Sequence, residues 1–446
     1  MKKTTFILFT FLLAYAANTN AQGVVDIVFN GSKATYSIPD SVKGVTVGVN
    51  GAKVTVLSTT TTKEYTYRLS GSSDNGSFTL NGQYKLKLQL DGLTLTNAKS
   101  GAAIDIECGK RIDVVLTDGT VNTLCDSKNG DQKAAFYIKG HAEFKGGGTL
   151  NVTGNLKHAI AVKEYIEMKS TLGNINILGA VGDGINCGNG EKGDGNNYFL
   201  MRGGKVTIAN VGSDGIDTDD YGVVRIENGT LDIAIGDDAT GMKADSTVNI
   251  SGGTININVD GQDSKAIRAN LAVNIFGGKT KLVVVGDGSK GIKANKETAK
   301  GSTVANGGYV NVCGGETVID VTGGNLVTTT AGVADTTKCM GMSVDADFIM
   351  TNGTLSITAR GDEARTYNVK GTETLMGGTL KTVNITKEEK IYGDVNEDGF
   401  VDVADISRVI TVMADGEYSE NADVNEDGTV DVADISRVIT VMTGFE

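Results

Sequence analysis

A repeat of about 25 residues, in which alternating apolar and polar residues follow a glycine turn, predicts an all-β protein. A typical unit is Gly252-Gly253 followed by the alternating segment Thr254–Val259. Seven Gly-Gly or Asn-Gly pairs of this kind lie 25, 24, 25, 37, 38 and 25 residues apart. Strands in one phase can stack in parallel, with their apolar side chains in a shared column. The repeat therefore predicts a right-handed parallel β-helix of about 25 residues per coil over residues 22–385.

A second marker, a small residue followed by an apolar one, gives the same register. It occurs at Gly241-Met242 and Ala266-Ile267, for example, and its steps are 25, 31, 26, 25, 25 and 50 residues. The long steps of both markers indicate loop insertions in the same coils. Residues 22–81 lack the markers but alternate, so we expect strands that cap the N-terminal end. Leucine-rich repeats would need a leucine and asparagine pattern that is missing, and propeller blades would need about 40 residues or more.

The N-terminus has the features of a secretory signal over residues 1–21. Lys2 and Lys3 precede a short apolar run, and small residues lie at the expected cleavage position, Thr19-Asn20-Ala21. The apolar run is shorter than the roughly 20 residues of a membrane-spanning helix. We therefore expect a secreted protein, extracellular or associated with the cell surface, without membrane insertion.

The charge of the chain is concentrated at one end. Residues 391–446 carry fourteen acidic and two basic residues, so they account for −12 of the formal net charge of −13. The rest is nearly neutral and has no basic stripe, which argues against nucleic acid as a partner. Five dispersed cysteines without a CxxC motif allow one disulfide in an oxidising compartment but do not indicate a disulfide scaffold or a zinc site. Two histidines make histidine-dependent catalysis a poor explanation of function.

The acidic tail contains two copies of one sequence, residues 394–413 and 423–442, which differ at a single position. Each copy begins Asp-Val-Asn-Glu-Asp-Gly, the start of an EF-hand-type calcium loop. Oxygen ligands at this spacing suit Ca²⁺ better than a transition metal. In the first loop the predicted ligands are Asp394, Asn396, Asp398, the carbonyl of Phe400, Asp402 and Asp405. In the second loop they are Asp423, Asn425, Asp427, the carbonyl of Thr429, Asp431 and Asp434.

Each loop runs into an amphipathic helix, with apolar residues at i, i+3, i+4 and i+7 from Ile406 and again from Ile435. This duplicated loop–helix unit resembles the type I dockerin, a small all-α calcium-binding domain, over residues 393–446 after a linker at 386–392. The resemblance implies a cohesin-type partner, bound in either of two orientations because the copies are nearly identical. The implied contacts are Val403, Ala404, Ile410, Thr411, Val432, Ala433, Ile439 and Thr440. Packing between the two helices is the alternative explanation for the apolar members.

Gly-Gly strands and Asp-Gly-Ile turns, as at Asp183 and Asp214, give the body a resemblance to secreted carbohydrate-binding β-helices. The resemblance implies calcium and polygalacturonate as ligands. Lys243, Arg268 and Lys293 lie one coil apart and form a cation column that could bind carboxylates of a polyanion, or simply face solvent. Acidic residues from neighbouring coils could hold Ca²⁺, or be ordinary surface charge. They are Asp183, Asp214, Asp217, Asp219, Asp220, Asp237 and Asp238.

The sequence thus predicts a secreted, non-catalytic carbohydrate-binding protein for acidic plant polysaccharide such as pectin. A calcium-dependent dockerin would attach it to a cohesin-bearing partner in polysaccharide degradation. One alternative is a β-helical enzyme acting on pectin, either a lyase with a base such as Arg268 or a hydrolase with Asp237 and Asp238 as its carboxylates. A second alternative is a structural adhesin, in which the coils are a rigid spacer.

Overall fold

The computed structural model describes residues 23–188, 195–219, 221–298, 305–330, 333–385, 392–396, 401–416 and 418–443. The predicted signal segment and residues 386–391 of the predicted linker lie outside this part of the chain. So do three predicted calcium ligands, Asp220, Asp398 and Phe400. The described residues are mostly β-strand, with two helices near the C-terminus, which confirms the expected class.

The strands follow one another in short segments along the chain. The first part contains β1 (Val24–Asn30), β2 (Lys33–Ser37), β3 (Val45–Asn50), β4 (Lys53–Ser58), β5 (Thr66–Ser73), β6 (Ser77–Gly82), β7 (Leu86–Thr96), β8 (Ile104–Glu107), β9 (Arg111–Leu116) and β10 (Val121–Cys125). The middle contains β11 (Ala134–Ile138), β12 (His141–Lys145), β13 (Thr149–Gly154), β14 (His158–Val162), β15 (Ile166–Met168), β16 (Asn174–Ala180), β17 (Ile185–Cys187), β18 (Tyr198–Met201), β19 (Lys205–Val211), β20 (Ile216–Thr218), β21 (Val223–Ile226) and β22 (Thr230–Ile235).

The later coils contain β23 (Thr240–Ala244), β24 (Thr247–Ile250), β25 (Thr254–Val259), β26 (Lys265–Ala269), β27 (Ala272–Ile275), β28 (Lys279–Val284), β29 (Lys290–Ala294), β30 (Lys296–Thr298), β31 (Ala305–Gly307), β32 (Tyr309–Val321), β33 (Leu326–Thr330) and β34 (Val333–Thr337). The last segments are β35 (Met340–Val344), β36 (Phe348–Ala359), β37 (Arg365–Val369), β38 (Glu373–Leu375), β39 (Thr379–Asn384), α1 (Val403–Asp415) and α2 (Val432–Thr443).

Two large sheets enclose one apolar core. Each regular coil gives one strand to a 13-stranded sheet and two strands to a 22-stranded sheet, as β23, β24 and β25 do. Strands of successive coils pair in parallel, so that Ile216, Met242, Ile267, Ile292 and Met342 lie in one register. All five side chains are fully buried. The apolar phase of the repeat is thus the inward face of the coils.

The irregular steps in the repeat have a structural counterpart. The antiparallel hairpin β30–β31 lies within the 37-residue step and the hairpin β33–β34 within the 38-residue step. At the N-terminal end, β2 pairs antiparallel with β1 and β3 pairs antiparallel with β4, so one hairpin lies at the end of each large sheet.

The glycine pairs mark turns that other residues would adopt with strain. The glycine at the second position of each of the seven pairs has a φ between 74° and 100°, which is the left-handed region. A different constraint acts at Gly286, where a Cβ would lie 1.7 Å from the carbonyl oxygen of Gly261 in the preceding coil. The close approach of stacked backbones therefore leaves no room for a side chain there.

The tail has a small core of its own. Val409 and Val438 are fully buried and pack with residues of the two loops, such as Val395 and Val424. Asp402 caps α1 by accepting a hydrogen bond from the N–H of Ala404 at 2.7 Å. Among the described residues, no helix has the length and apolar character needed to cross a membrane.

The substitution Gly286→Ala should destabilise the body, because its Cβ would overlap the backbone of the coil beneath. Overpacking of this kind costs about 1–3 kcal/mol, and more where the backbone cannot move. Gly236→Ala is the matched control, since a Cβ there meets no atom within 4 Å. Thermal unfolding should show a lower Tm for Gly286→Ala only; equal Tm values for the two variants would contradict the tight stacking.

Candidate functional site

A cleft of about 330 Å³ lies on the outer side of the 13-stranded sheet. Strands β11, β14, β17, β20 and β23 are consecutive neighbours there, and their outward residues form its wall. The charged and polar residues that line it are Lys133, Tyr137, Lys157, His158, Lys163, Asp183, Asn186, Ser213, Asp214, Asp217, Asp219 and Lys243. Several predicted site residues therefore share one cleft with residues that the sequence did not single out.

Three carboxylates from neighbouring coils meet at the base of this cleft. Asp183, Asp214 and Asp217, here called the acid cluster, each offer an oxygen within 4.8 Å of the others. Their exposed fractions are 5%, 6% and 6%. Buried like charges repel one another, so they need a cation, a proton or hydrogen-bond donors.

Lys243 supplies part of that compensation. Its Nζ donates to Asp214 Oδ2 and to Asp217 Oδ2, each at 3.0 Å. Burial lowers the pKa of this ammonium, but the two carboxylates outweigh that effect and raise it. The predicted acid site and the first residue of the cation column thus belong to one ion-pair network.

The acid cluster contains carboxyl groups of unequal acidity. Burial raises the pKa of Asp217 to about 7, with Lys243 opposing the shift and the neighbouring aspartates adding to it. Burial also pushes the pKa of Asp183 upward, but hydrogen bonds with His158, Ser213 and Asn186 outweigh it and lower the pKa. Within the described residues, Asp217 Oδ1 is buried and has no hydrogen-bond partner. One oxygen of the cluster is therefore left without compensation.

His158 is the second basic group at the cluster. Its Nδ1 lies 3.0 Å from the backbone N of Asp183 and 3.1 Å from Asp183 Oδ2. A neutral ring can accept from the N–H, and a protonated ring can donate to the carboxylate.

Of the other acidic residues predicted as calcium ligands in the body, only some line the cleft. Asp219 lines the cleft and is partly buried. Asp237 and Asp238 are exposed and do not line it; Asp237 Oδ1 instead accepts from the backbone N–H of Gln262 at 2.7 Å. The described structure thus brings four of the seven predicted acids to the cleft.

The three residues of the cation column lie in register, and each is paired with a carboxylate of the protein. Lys243, Arg268 and Lys293 lie opposite one another on β23, β26 and β29. Arg268 lies 3.6 Å from Glu297, and Lys293 lies 3.0 Å from Asp345. All three cations therefore have carboxylate partners within the protein.

All residues of the second loop of the tail are described, and backbone N–H groups of this loop donate hydrogen bonds to its carboxylates. Asp423 accepts from the N–H groups of Asp427 at 3.1 Å and Gly428 at 2.9 Å. Asp434 accepts from the N–H groups of Asn425 at 3.0 Å and Asp431 at 2.8 Å. The other predicted ligand, Thr429, lies in the same turn.

The first loop repeats this arrangement where it is described. Asp405 accepts from the N–H groups of Val395, Asn396 and Asp402 at 2.7, 3.0 and 2.8 Å. Asp405 and Asp434 are fully buried, and neither forms an ion pair with a basic side chain of the described chain. Buried carboxylates without a basic partner fit a site for Ca²⁺, which would neutralise them.

The predicted partner contacts lie on the outside of the helices. Val403, Ile410, Val432 and Ile439 are 65%, 51%, 64% and 44% exposed, and none belongs to the core of the tail. The accompanying Ala404, Thr411 and Ala433 are exposed and Thr440 is partly so. Packing between the helices therefore does not account for these apolar side chains.

Comparison with known proteins distinguishes the same two parts of the chain, the β-stranded body and the C-terminal tail. The chain belongs to the family of carbohydrate-binding domain-containing proteins, which it matches over residues 50–315. Its tail matches the type I dockerin domain over residues 392–442. No curated protein matches the chain. Among solved structures, it is similar to the polysaccharide lyase-like protein from C. thermocellum, gadolinium derivative, at 18% identity and a TM-score of 0.33, covering 80% of this chain and 99% of that one.

Sequence reasoning missed the part of the cleft that β11 and β14 contribute. Phe136 pairs with Ile160, 24 residues later, so Ala135-Phe136 is the same small–apolar marker one coil earlier. Extending the register by that coil would have placed Tyr137 beside the acidic turns. The five cysteines, for which a disulfide was conceivable, are all free.

Asp434→Asn should weaken calcium binding at the second loop, because it removes the negative charge of a buried predicted ligand. A ligand at a hundred times its Kd stabilises a fold by about 2.7 kcal/mol. Scanning calorimetry of the full chain in Ca²⁺ and in EDTA should therefore show a smaller calcium-dependent shift in this variant. Asp415→Asn, an exposed substitution at the end of α1, is the matched control; a shift as large in Asp434→Asn as in the control would contradict the assignment.

Proposed function

We propose that this protein binds acidic plant polysaccharide such as polygalacturonate without cleaving it, and is held by a cohesin-bearing partner outside the cell. In this proposal residues 1–21 direct secretion, residues 22–385 form a right-handed parallel β-helix capped by residues 22–81, and residues 386–392 link it to a dockerin at 393–446. The observation that carries the proposal is the tail: each loop has a fully buried carboxylate, Asp405 or Asp434, without an ion pair to a basic side chain of the described residues, and each lies next to an exposed apolar surface of the same sequence.

Calcium has two proposed places. In the tail, the loop oxygens would hold one ion per loop, and each ion would neutralise carboxylates that fold the loop onto its helix. In the body, Asp183, Asp214, Asp217 and Asp219 would hold a cation with the uncompensated Asp217 Oδ1 among its ligands. The nearby Lys243 already neutralises part of this charge, so the body site would be weaker than the tail sites.

The two docking surfaces should be interchangeable. The first is Val403, Ala404, Ile410 and Thr411, and the second is Val432, Ala433, Ile439 and Thr440. Because the copies are nearly identical, Val403→Asp with Ile410→Asp should leave binding through the second surface. Changing both surfaces should lower the affinity at least about 100-fold, since buried anchor residues each contribute about 2 kcal/mol or more.

Surface plasmon resonance against a panel of cohesins measures this difference. Asp415→Lys, a charge change at an exposed position at the end of α1, is the control. Loss of all cohesin binding after altering one surface would contradict the two-orientation proposal.

Isothermal titration of the full chain with polygalacturonate in Ca²⁺ tests the carbohydrate half of the proposal. We expect binding that weakens with methyl esterification, because esterification removes the carboxylates that the protein would recognise. Absence of binding to every acidic glycan tested would overturn this ligand class. Shortening of the glycan during the titration would instead show catalysis.

Glycoside hydrolysis is the second candidate function. Asp183 and Asp217 have oxygens within 4.8 Å, and their pKa values are displaced in opposite directions. Such a pair is the usual arrangement of a general acid and an ionised partner. New reducing ends released from polygalacturonate without an unsaturated, ultraviolet-absorbing product, and their loss in Asp217→Asn, would favour this candidate.

A further inference from the structure

The cleft at the acid cluster continues into a second one. A neighbouring cleft of about 450 Å³ shares Lys133, Tyr137 and Lys163 with the first. The two meet at Tyr137 and together run across the strands β8, β11, β14, β17, β20 and β23. Six neighbouring strands about 4.8 Å apart make a surface about 24 Å long, which suits an extended chain of several sugars. We call the joined clefts the Tyr137 groove.

Tyr137 offers an aromatic ring within this groove. It lies between Asp105 and Ala161 in the parallel register, and alanine leaves space beside the ring. The ring is partly buried, and Lys133 Nζ lies 5.6 Å from its centroid. A planar apolar surface flanked by polar groups is what a pyranose ring needs for stacking.

The other aromatic surface of the body does not have this property. His141, Tyr165 and Tyr198 stack face to face, with centroids 4.6 and 4.7 Å apart. Arg225 lies 5.1 Å over the ring of Tyr198. Neighbouring rings therefore cover faces that a sugar would need. Among the described residues no ring stacks on Tyr137, and the cation over it belongs to the exposed side chain of Lys133.

The groove also has cations without a carboxylate partner, one of which, Lys133, lies over the Tyr137 ring. Lys133 and Lys157 are exposed and Lys163 is partly buried, and none of them forms an ion pair within the described chain. The cation column differs, since Lys243, Arg268 and Lys293 each lie within 4 Å of a carboxylate. An incoming carboxylate would have to displace an internal partner at the column, but only water at the groove.

The acids of the groove limit how a chain could lie. The second cleft contains Asp105, Glu107 and Asp131, with Glu107 paired to Lys139 at 3.0 Å. Repulsion would turn the carboxylates of a bound chain away from these acids and toward Lys133, Lys157 and Lys163. Hydroxyl groups, which can donate to carboxylates, would face the acids.

We propose that the acidic glycan binds in the Tyr137 groove, with a sugar ring stacked on Tyr137 and uronate carboxylates bound by Lys133, Lys157 and Lys163. This assignment rests on the proposed function, and it replaces the cation column as the place of binding. The proposed binding surface is centred on β11, whose coil lacks the Asp-Gly-Ile turn found at Asp183 and Asp214.

Titration of the full chain with polygalacturonate in Ca²⁺ tests the assignment. Lys133→Ala with Lys163→Ala removes two unpaired cations and should weaken binding at least about tenfold, since two charge-assisted hydrogen bonds are lost. Tyr137→Ala should weaken it similarly, and Tyr137→Phe should retain most of the affinity because the ring remains. Arg268→Ala with Lys293→Ala is the matched control, because it removes the same charge from the column, and its affinity should change less than about threefold.

Thermal unfolding of each variant checks that the coils remain folded, and the lysine pair provides a test at solvent-accessible positions if Tyr137→Ala is unstable. Loss of affinity in the column variant together with normal affinity in the groove variants would overturn the assignment and leave the proposed function intact. Normal affinity in all variants would overturn it as well. If the unaltered protein binds no acidic glycan, the proposed ligand class fails and the assignment fails with it.

Discussion

The structure depends on one constraint: the backbone of each coil must hydrogen-bond to the same positions of the coil before it. Parallel pairing at a spacing of about 4.8 Å carries this register from β5 to β39, with local shifts in four strand pairs, for example between Val152 and Thr153. Apolar residues of one phase then fill the interior, and residues of the other phase form columns outside. The same close stacking forbids a side chain at Gly286, where the two backbones nearly touch.

The columns have an electrostatic consequence. Residues about 25 positions apart become neighbours at roughly the distance of a salt bridge, so a repeated acid repels its copy. In the column that contains Lys243 the charge changes sign once, between β20 and β23, and the three cations that follow are each paired with a carboxylate. Asp217 lies opposite Lys243 in the parallel register, and Lys243 also reaches Asp214. The cations of the column therefore compensate the acids of this face, and unpaired cations occur instead near β11 and β14.

Much of this could be predicted from the sequence, because period and phase are properties of a linear pattern. The glycine pairs, the buried positions and the duplicated loops of the tail were all readable in this way. The pattern also placed Lys243, Arg268 and Lys293 in one column. The pattern could not predict that each of these cations pairs with a carboxylate, because the pairing depends on the side-chain conformations of residues within a coil and in neighbouring coils. Tyr137 was missed because its coil, although it carries the marker Ala135-Phe136, lacks the Asp-Gly-Ile turn that indicated a site on this face.

The enlarged coils show how the register survives a change in chain length. Lys293 faces Ser343 although fifty residues separate them, because the additional chain leaves the stack as the hairpins β30–β31 and β33–β34. A hairpin inserted between two strands of a coil thus changes the outer surface at that place and leaves the buried core unchanged. The length of the chain can therefore change at the edge of the sheets while the strand register and the buried core stay the same.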